Sequence, residues 1–550
     1  MGILSRIISK LFKLPPALTH DILKIEDIEI PMRDGVVLLA DRFIPRRIQD
    51  PPLLLCRSSY GRKSFWGILF GEIFAERGYQ VLIQSCRGTM GSGGVLNPNA
   101  QEHADGLDTI EWMQKQDWYP GRFGTVGASY FGYTQWALAD KAGTDLVSMV
   151  PLITTSTFSN NWYMGNSFSL EGHLTWCNLM KNAEKRLSMS ILPFKINRIM
   201  KSLPLIDFDV KLTGKELGAW RNVVLNSEPP YTYWESTDRR DKVSNVKAKV
   251  NFVSGWWDIF LPWMFEDYLK LKKNGQKPYL TIGPWQHGNL TEFAEGSREA
   301  VAWHNAFLQN NDKGLRKNPV RLFIMGSNEW KEYPEWPPQE SSPEHWYIQP
   351  GGGLSKNTPA ISDPDAYVYD PKNPTPKIKG GFGMRASQSG QKDVRKIEAR
   401  KDVLVYTSEP IESALEIIGP VTAELYVKSS LDNTDFLARI CDVFPNEKCL
   451  NVCEGLQRLR PMDISPAKDG TLKIPVELWP TAYCFKKGHR MRVHIASGSH
   501  PRWVRNTGSG EPIATATRLV AAHQEVYHDP GHLSAIILPV MHCSIKGGIV

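Results

Sequence analysis

The feature that most constrains this chain is a rhythm between about residues 24 and 150. Short apolar runs, PPLLLCRSS (51–59), YQVLIQSC (79–86) and FGTVG (123–127), each stop at polar or turn residues. GILFGEIFAERGY (67–79), HADGLDTIEWMQKQ (103–116) and the stretch from Tyr130 to Asp140 read as helices, the first stopped at Gly78. Strand-like runs without polar alternation are buried on both faces, and helices between them return the chain for parallel pairing. The fold class is therefore α/β with a parallel sheet. Ahead of it, ILKIEDIEIPMRDGVVLLADRFIP (22–45) reads as an antiparallel pair turning at Arg33-Asp34-Gly35.

The rhythm breaks over 151–245, which is rich in Trp, Tyr, Met and Lys and reads as helical, an insertion over the sheet edge. KVNFVSGWWD (249–258) and KPYLTIGPWQHG (277–288) restore strand followed by loop. From about 340 onward, runs such as GPVTAELYVKSS, RMRVHIAS and LSAIILPV alternate with Gly, Pro and Asn turns, the texture of a β-sandwich or jelly roll. At 550 residues the chain is too long for one core. The expected organisation is an amphipathic segment at 1–23, an α/β domain at 24–150 and 246–340, a helical cap at 151–245 and a jelly roll at 341–550. The boundary is expected near Pro350-Gly351-Gly352-Gly353.

A net charge of +7, from 65 basic and 58 acidic residues, with no long Lys/Arg run, gives nucleic-acid binding no support. The eight cysteines are scattered. Cys449 and Cys453 form C-x3-C without a second pair at zinc-like spacing, so they read as reduced thiols of a cytoplasmic protein. In HDPGH, Pro530 separates His528 from His532 and removes a helical ligand pair, so no metal is expected there.

At the N-terminus, MGILSRIISKLFKLPPALTH places Leu4, Ile7, Ile8, Leu11 and Phe12 on one helical face, with Arg6, Lys10 and Lys13 elsewhere. The segment lacks the cleavage site of a signal peptide, the length of a span, and the Ser or Thr at position 6 that myristoylation wants. It is expected to dock on its own protein or on a sister subunit in a homo-oligomer, with peripheral membrane contact as the alternative.

The chemistry centres on GASYFG (127–132). Gly127-Ala128-Ser129 is the front half of a nucleophile elbow, G-x-S-x-G, but position 131 is Phe and the next glycine is Gly132. A serine nucleophile needs a base, an acid that orients it, and oxyanion donors. Ser129 follows FGTVG, Asp258 follows KVNFVSG and His287 follows KPYLTIG. Serine, acid and histidine thus come in α/β-hydrolase order, each just past a strand. A serine hydrolase is the expectation.

Longer motifs carry a family resemblance. MRDGVVLLADRFIP, EHADGLDTIEWMQKQDWYPGRFG, GASYFG, GWWDIF, GPWQHG, TDFLARICDVFP and HDPGHLSAIILPV, spread over about 24–540, resemble the CocE/NonD hydrolases. That group includes cocaine esterases, α-amino-acid ester hydrolases and glutaryl acylases, and is related to X-Pro dipeptidyl-peptidases. The resemblance implies an α/β-hydrolase domain with a helical cap and a C-terminal jelly roll. It implies Ser129 as nucleophile, His287 as base and Asp258 as acid. It also implies an oxyanion hole from the Tyr130 amide and the Tyr60 hydroxyl, and no metal or organic cofactor. Two departures stand out: Ser59 where the family has Pro, and SCRG (85–88) where it has D-x-R-G, which leaves the partner of Arg87 open. Trp162, Tyr163, Trp176, the run Tyr231–Trp234 (Trp234 above all) and Trp257 are candidate pocket residues, each equally readable as core. The expected substrate is a small ester or amide. X-Pro dipeptidyl-peptidase activity is the alternative, and a non-catalytic carbohydrate-binding or membrane-associated scaffold is the reading from another class.

Overall fold

The computed structural model describes residues 2–182, 192–228, 232–383 and 388–542. The chain divides into two compact units, the first drawn chiefly from 2–159 and 233–321, the second from 160–179, 192–228 and 322–542.

The first unit is organised by strands β1 (Ile22–Pro31), β2 (Val37–Pro45), β3 (Leu53–Ser58), β4 (Gln80–Ser85), β5 (Phe123–Ala128), β6 (Leu146–Leu152), β7 (Lys249–Trp257) and β8 (Tyr279–Gln286). They lie in the order β1-β2-β4-β3-β5-β6-β7-β8. β1, β2 and β4 pair antiparallel; from β4 through β3 to β8 the pairing is parallel. β3, β4 and β5 are buried along their whole length, which is why they read as unbroken apolar runs. The β1–β2 turn pairs Pro31 with Val37, and Gly35 takes φ 81° there, a value that favours glycine. The longer helices of the unit are α1 (Ile3–Leu11), α2 (Glu102–Gln114), α3 (Tyr130–Ala139), α4 (Leu261–Lys273) and α5 (Leu290–Leu308), with a helical stretch at 64–75 between β3 and β4. The core joins Leu54, Val81, Val126 and Val150 of the strands to Phe74 and Trp303.

Two readings gain detail here. The apolar face of α1 is split: Ile8 and Phe12 are buried, while Leu4, Ile7 and Leu11 are exposed together with Ile3. The inner side docks on its own unit, with Ser5 Oγ donating to Glu76 (2.7 Å) and Arg77 donating to the Pro15 carbonyl (2.7 Å). Periodicity finds the apolar arc but not which half of it meets protein. Arg87, whose partner was open in SCRG, is buried between two carboxylates, Asp34 (2.7 Å) and Asp105 (2.6 Å). These replace the missing acid from other parts of the chain.

In the second unit, β9 (Val320–Ile324) leads in from the first, and β10 (Glu329–Tyr333) is followed by β11 (Ser341–Gln349), β12 (Gly353–Ser355), β13 (Asp365–Tyr369), β14 (Leu404–Ser408), β15 (Leu415–Ser429) and β16 (Thr434–Val443). Then come β17 (Cys449–Leu459), β18 (Leu472–Phe485), β19 (Arg490–Ala496), β20 (Ala522–Tyr527) and β21 (Ala535–Met541). β11 to β21 form one sheet, almost wholly antiparallel, with β12–β14 the parallel exception. The glycines at 351–353, near which the boundary was expected, lie at a tight turn between paired strands: Ile348 faces Leu354 and Gln349 faces Gly353. Gly351 and Gly352 take φ 72° and 79° to make it. Segments of 160–228 pack in this unit. A Cβ on Gly165 would lie 1.6 Å from the Leu456 carbonyl oxygen, and His500 Nε2 donates to the Met200 carbonyl (3.0 Å). Among the described residues no helix is long and apolar enough to cross a membrane.

Candidate active site

Parallel strands bring their C-terminal ends to one edge, and β5, β7 and β8 each deliver one polar residue there. β7 and β8 are neighbours whose register pairs Trp257 with Gln286. The next residue on each strand is Asp258 and His287, so the pairing itself sets acid beside base. His287 Nδ1 lies 2.7 Å from Asp258 Oδ2, and His287 Nε2 lies 3.0 Å from Ser129 Oγ. Asp258 is fully buried, and its other oxygen accepts from the Phe260 amide (2.8 Å). With both carboxylate oxygens engaged, the hydrogen-bond network assigns the ring proton to Nδ1 and leaves Nε2 to accept from the serine. The Phe260 ring stands edge-on to the imidazole at 5.5 Å.

Ser129 occupies a sharp turn between β5 and α3, with φ 57° and ψ −121°. Such a conformation is costly for a side-chain-bearing residue and persists only where the surroundings hold it. Here the Ser129 amide donates to the Leu152 carbonyl (2.9 Å), and its carbonyl accepts from Gly132 and Tyr133 (3.0 Å each). The glycines follow from close approach. A Cβ on Gly127 would lie 2.5 Å from the Phe131 carbonyl oxygen, and one on Gly132 would lie 2.4 Å from Thr154 Cγ2. The crowded position is 132, where the chain beyond β6 crosses the helix start; Phe131 is instead buried in the core.

Tyr60 follows β3 and packs its ring on Phe131 (5.5 Å) and Trp66 (6.0 Å), so it stands against the turn that carries the serine. Its amide donates to Ser58 Oγ (3.1 Å), which anchors the loop where Ser59 replaces proline. Tyr130 begins α3. Its phenol donates to Glu102 (2.9 Å) and accepts from the Asn99 amide (2.9 Å), and burial, aided by the Glu102 charge, pushes it well above the ordinary tyrosine range. The side chain therefore anchors the helix start, and the Tyr130 amide lies at the positive end of α3.

The four tryptophans separate. Trp257 is half-buried and immediately precedes Asp258. Trp234 is buried in the first unit. Trp162 and Trp176 are buried in the second unit, 6.1 Å apart, with His173 packed on both. Tyr231, of the run Tyr231–Trp234, lies outside the described residues.

Sequence reasoning missed Glu292. Its carboxylate accepts from the Gly288 amide (3.2 Å). Burial and then the charge of Asp258 push its carboxyl well above the usual carboxylate range. The signal was present as a capping box: Asn289 caps α5, accepting from the Thr291 amide (2.8 Å), with Glu three residues on. Read locally, that pattern starts a helix; only the fold brings it to Asp258.

The X-Pro dipeptidyl-peptidase (S15 family) profile matches residues 34–289, and the X-Pro dipeptidyl-peptidase C-terminal non-catalytic domain matches 311–537. The chain is 28% identical to the cocaine esterase of Rhodococcus sp. over 565 aligned residues, covering 94% of this chain and 98% of that one. Among solved structures, an aminopeptidase from a marine sediment archaeon (Thaumarchaeota) superposes with a TM-score of 0.82 at 21% identity. An α-amino acid ester hydrolase superposes with 0.81 at 22%. Each alignment covers 96% of this chain and 98% of the other. Two profiles in the right order over most of the chain, with a relative matched nearly end to end, identify it: the chain belongs to the CocE/NonD hydrolases, the group related to the X-Pro dipeptidyl-peptidases.

Proposed function

We propose that this serine hydrolase cleaves a small carboxylic ester through an acyl-enzyme formed on Ser129. The single observation that carries the reading is the continuous bond chain Ser129 Oγ–His287–Asp258, at 3.0 and 2.7 Å, on a strained turn.

His287 Nε2 takes the serine proton as Oγ attacks the ester carbonyl carbon, and the carbonyl electron pair moves onto oxygen. Asp258 stabilises the imidazolium and holds its ring in place without itself accepting the proton. The Tyr130 amide and the Tyr60 hydroxyl donate to the oxyanion; a phenol stays protonated at neutral pH and so can donate. Collapse breaks the bond to the leaving alcohol, which takes its proton from His287. Water, deprotonated by the same ring, attacks the acyl-enzyme and releases the acid. Trp257, next to Asp258 in the chain, is the tryptophan best supported as a substrate contact.

An X-Pro peptidase reading stays in play because the S15 profile spans all three triad residues. The same steps serve an amide, with His287 protonating the leaving amine. A panel of aryl esters, amino-acid esters and X-Pro anilides separates the two: faster turnover of the simple aryl esters supports the esterase. Ser129→Ala should reduce turnover of the best substrate to background while the protein stays folded. Wild-type turnover by that variant would refute the assignment.

A further inference from the structure

The second unit holds a polar cluster that the proposed reaction does not use. Cys441 stands on β16, Cys449 on β17 and His494 on β19, strands that lie side by side in the order β19-β16-β17. All three side chains are buried, and one ligating atom from each lies within 4.8 Å of the others.

Strand register explains how they meet. Ile440 pairs with Cys453, so a regular ladder would pair Cys441 with Val452 and point Cys449 to the opposite face. Instead the register slips between Ile440 and Cys441, and Cys441 pairs with Asn451. A one-residue slip reverses the facing of everything beyond it, and bulges re-aim side chains in this way. Both thiols then share a face, joined from β19 by His494, which pairs with Arg439. The ligands ride on three strands, a rigid mounting.

The imidazole is poised as a ligand. Its Nε2 is 3.0 Å from Glu398 Oε1, and Glu398 is held by Arg492 (2.8 Å). Its Nδ1 faces Cys441 Sγ at 3.8 Å and Arg439, which can only donate, at 3.5 Å. The ring proton therefore belongs on Nε2, toward the carboxylate, and the Nδ1 lone pair points at the sulfurs. A carboxylate on the far nitrogen is the usual support of a metal-bound histidine. Tetrahedral zinc, with bonds of about 2.3 Å to sulfur and 2.05 Å to nitrogen, sets those atoms about 3.6 Å apart. The observed 3.8 Å needs almost no adjustment.

Charge fits as well. Glu398 is matched by Arg492, and Glu454 is shared by Arg439 (2.7 Å) and Arg502, so nearby positive charge favours the two thiolates that a cation needs. Ile378, Val394, Ile397 and Val403 surround the cluster and exclude water.

We propose that Cys441, Cys449 and His494 bind one thiophilic cation, zinc(II) or copper(I), which ties β17, β16 and β19 together while Glu398 orients the imidazole. Two thiolates and an imidazole suit such ions and not magnesium or calcium. Each thiol releases its proton to solvent as the ion binds, with no redox step.

The test uses the full chain, purified with its thiols reduced, and reads metal content and melting temperature. The expected result is about one equivalent of zinc or copper by elemental analysis after supply of either ion. Tm should rise on zinc(II) or copper(I) addition, and cobalt(II) should give a thiolate charge-transfer band. Cys441→Ser and Cys449→Ser should each lose at least nine-tenths of the bound metal, while Cys453→Ser, outside the cluster, should keep it. If the serine variants do not fold, the stoichiometry and cobalt spectrum of the unmodified chain still decide. Less than a tenth of an equivalent of either metal with an unmoved Tm, or full metal retention by folded Cys441→Ser and Cys449→Ser, would overturn the proposal.

Discussion

His287 in the first unit and His494 in the second are each held by a carboxylate on one ring nitrogen and face a nucleophilic atom with the other. Their surroundings differ. His287 sits past the end of β8 and is 8% exposed, beside a serine on a strained turn; His494 lies within β19 at 0% exposure, beside two thiols. Strand ends open to loops and leave room for a substrate to approach, whereas the middle of a sheet does not. A carboxylate–imidazole pair does not by itself signal catalysis. Access to the facing atom is what would make one pair a general base and the other a ligand, as proposed above.

Disabling each carboxylate should break the likeness. Asp258→Asn should lower kcat by about four orders of magnitude, because the amide favours the wrong imidazole tautomer. Glu398→Gln, in the second unit, should leave kcat of the folded enzyme within about twofold. A large loss from Glu398→Gln, or almost none from Asp258→Asn, would collapse the distinction; steady-state kinetics on an aryl ester reads both. The next largest effect is expected at the oxyanion: Tyr60→Phe should cost about 3 kcal/mol of transition-state stabilisation, on the order of a hundredfold in kcat. An unchanged KM with lowered kcat would tie the loss to the tetrahedral state. An unchanged kcat would remove Tyr60 from the mechanism.

The smallest effect concerns Glu292. Its folded pKa lies above the ordinary 4.5, so the folded state holds this proton more tightly than the unfolded chain. That contribution to stability is present in full below pH 4.5 and is lost as pH rises toward the folded value. Glu292→Gln is neutral at every pH. Its Tm relative to wild type should therefore climb by a few degrees between about pH 4.5 and 8. A difference that stays flat across that range would mean the carboxyl is ionised in the folded protein.

The meeting of Ser129, His287 and Asp258 was legible because its signals are local: each residue follows an apolar run, and the chain order is that of an α/β-hydrolase. The glycine shift to 132 was legible as a pattern, but its reason, the approach of Thr154, needed the third dimension. The cysteine cluster was not legible. C-x3-C drew attention to Cys449 and Cys453, whereas the register slip puts Cys449 on the same face as Cys441, and His494 comes from another strand. Glu292 was hidden behind a helix start that fully accounts for it locally, and Pro350–Gly353 suggested a boundary because a tight turn uses the same residues. Signals that depend on which strand lies beside which are absent from a single sequence.

The central claim is that Ser129 is the nucleophile activated by His287. Fluorophosphonate labelling of the full chain, followed by peptide mapping, tests it most directly. The account predicts one adduct, on Ser129, that is lost in His287→Ala together with esterase turnover. An adduct on another residue, or none on a folded enzyme that still turns over ester, would contradict it.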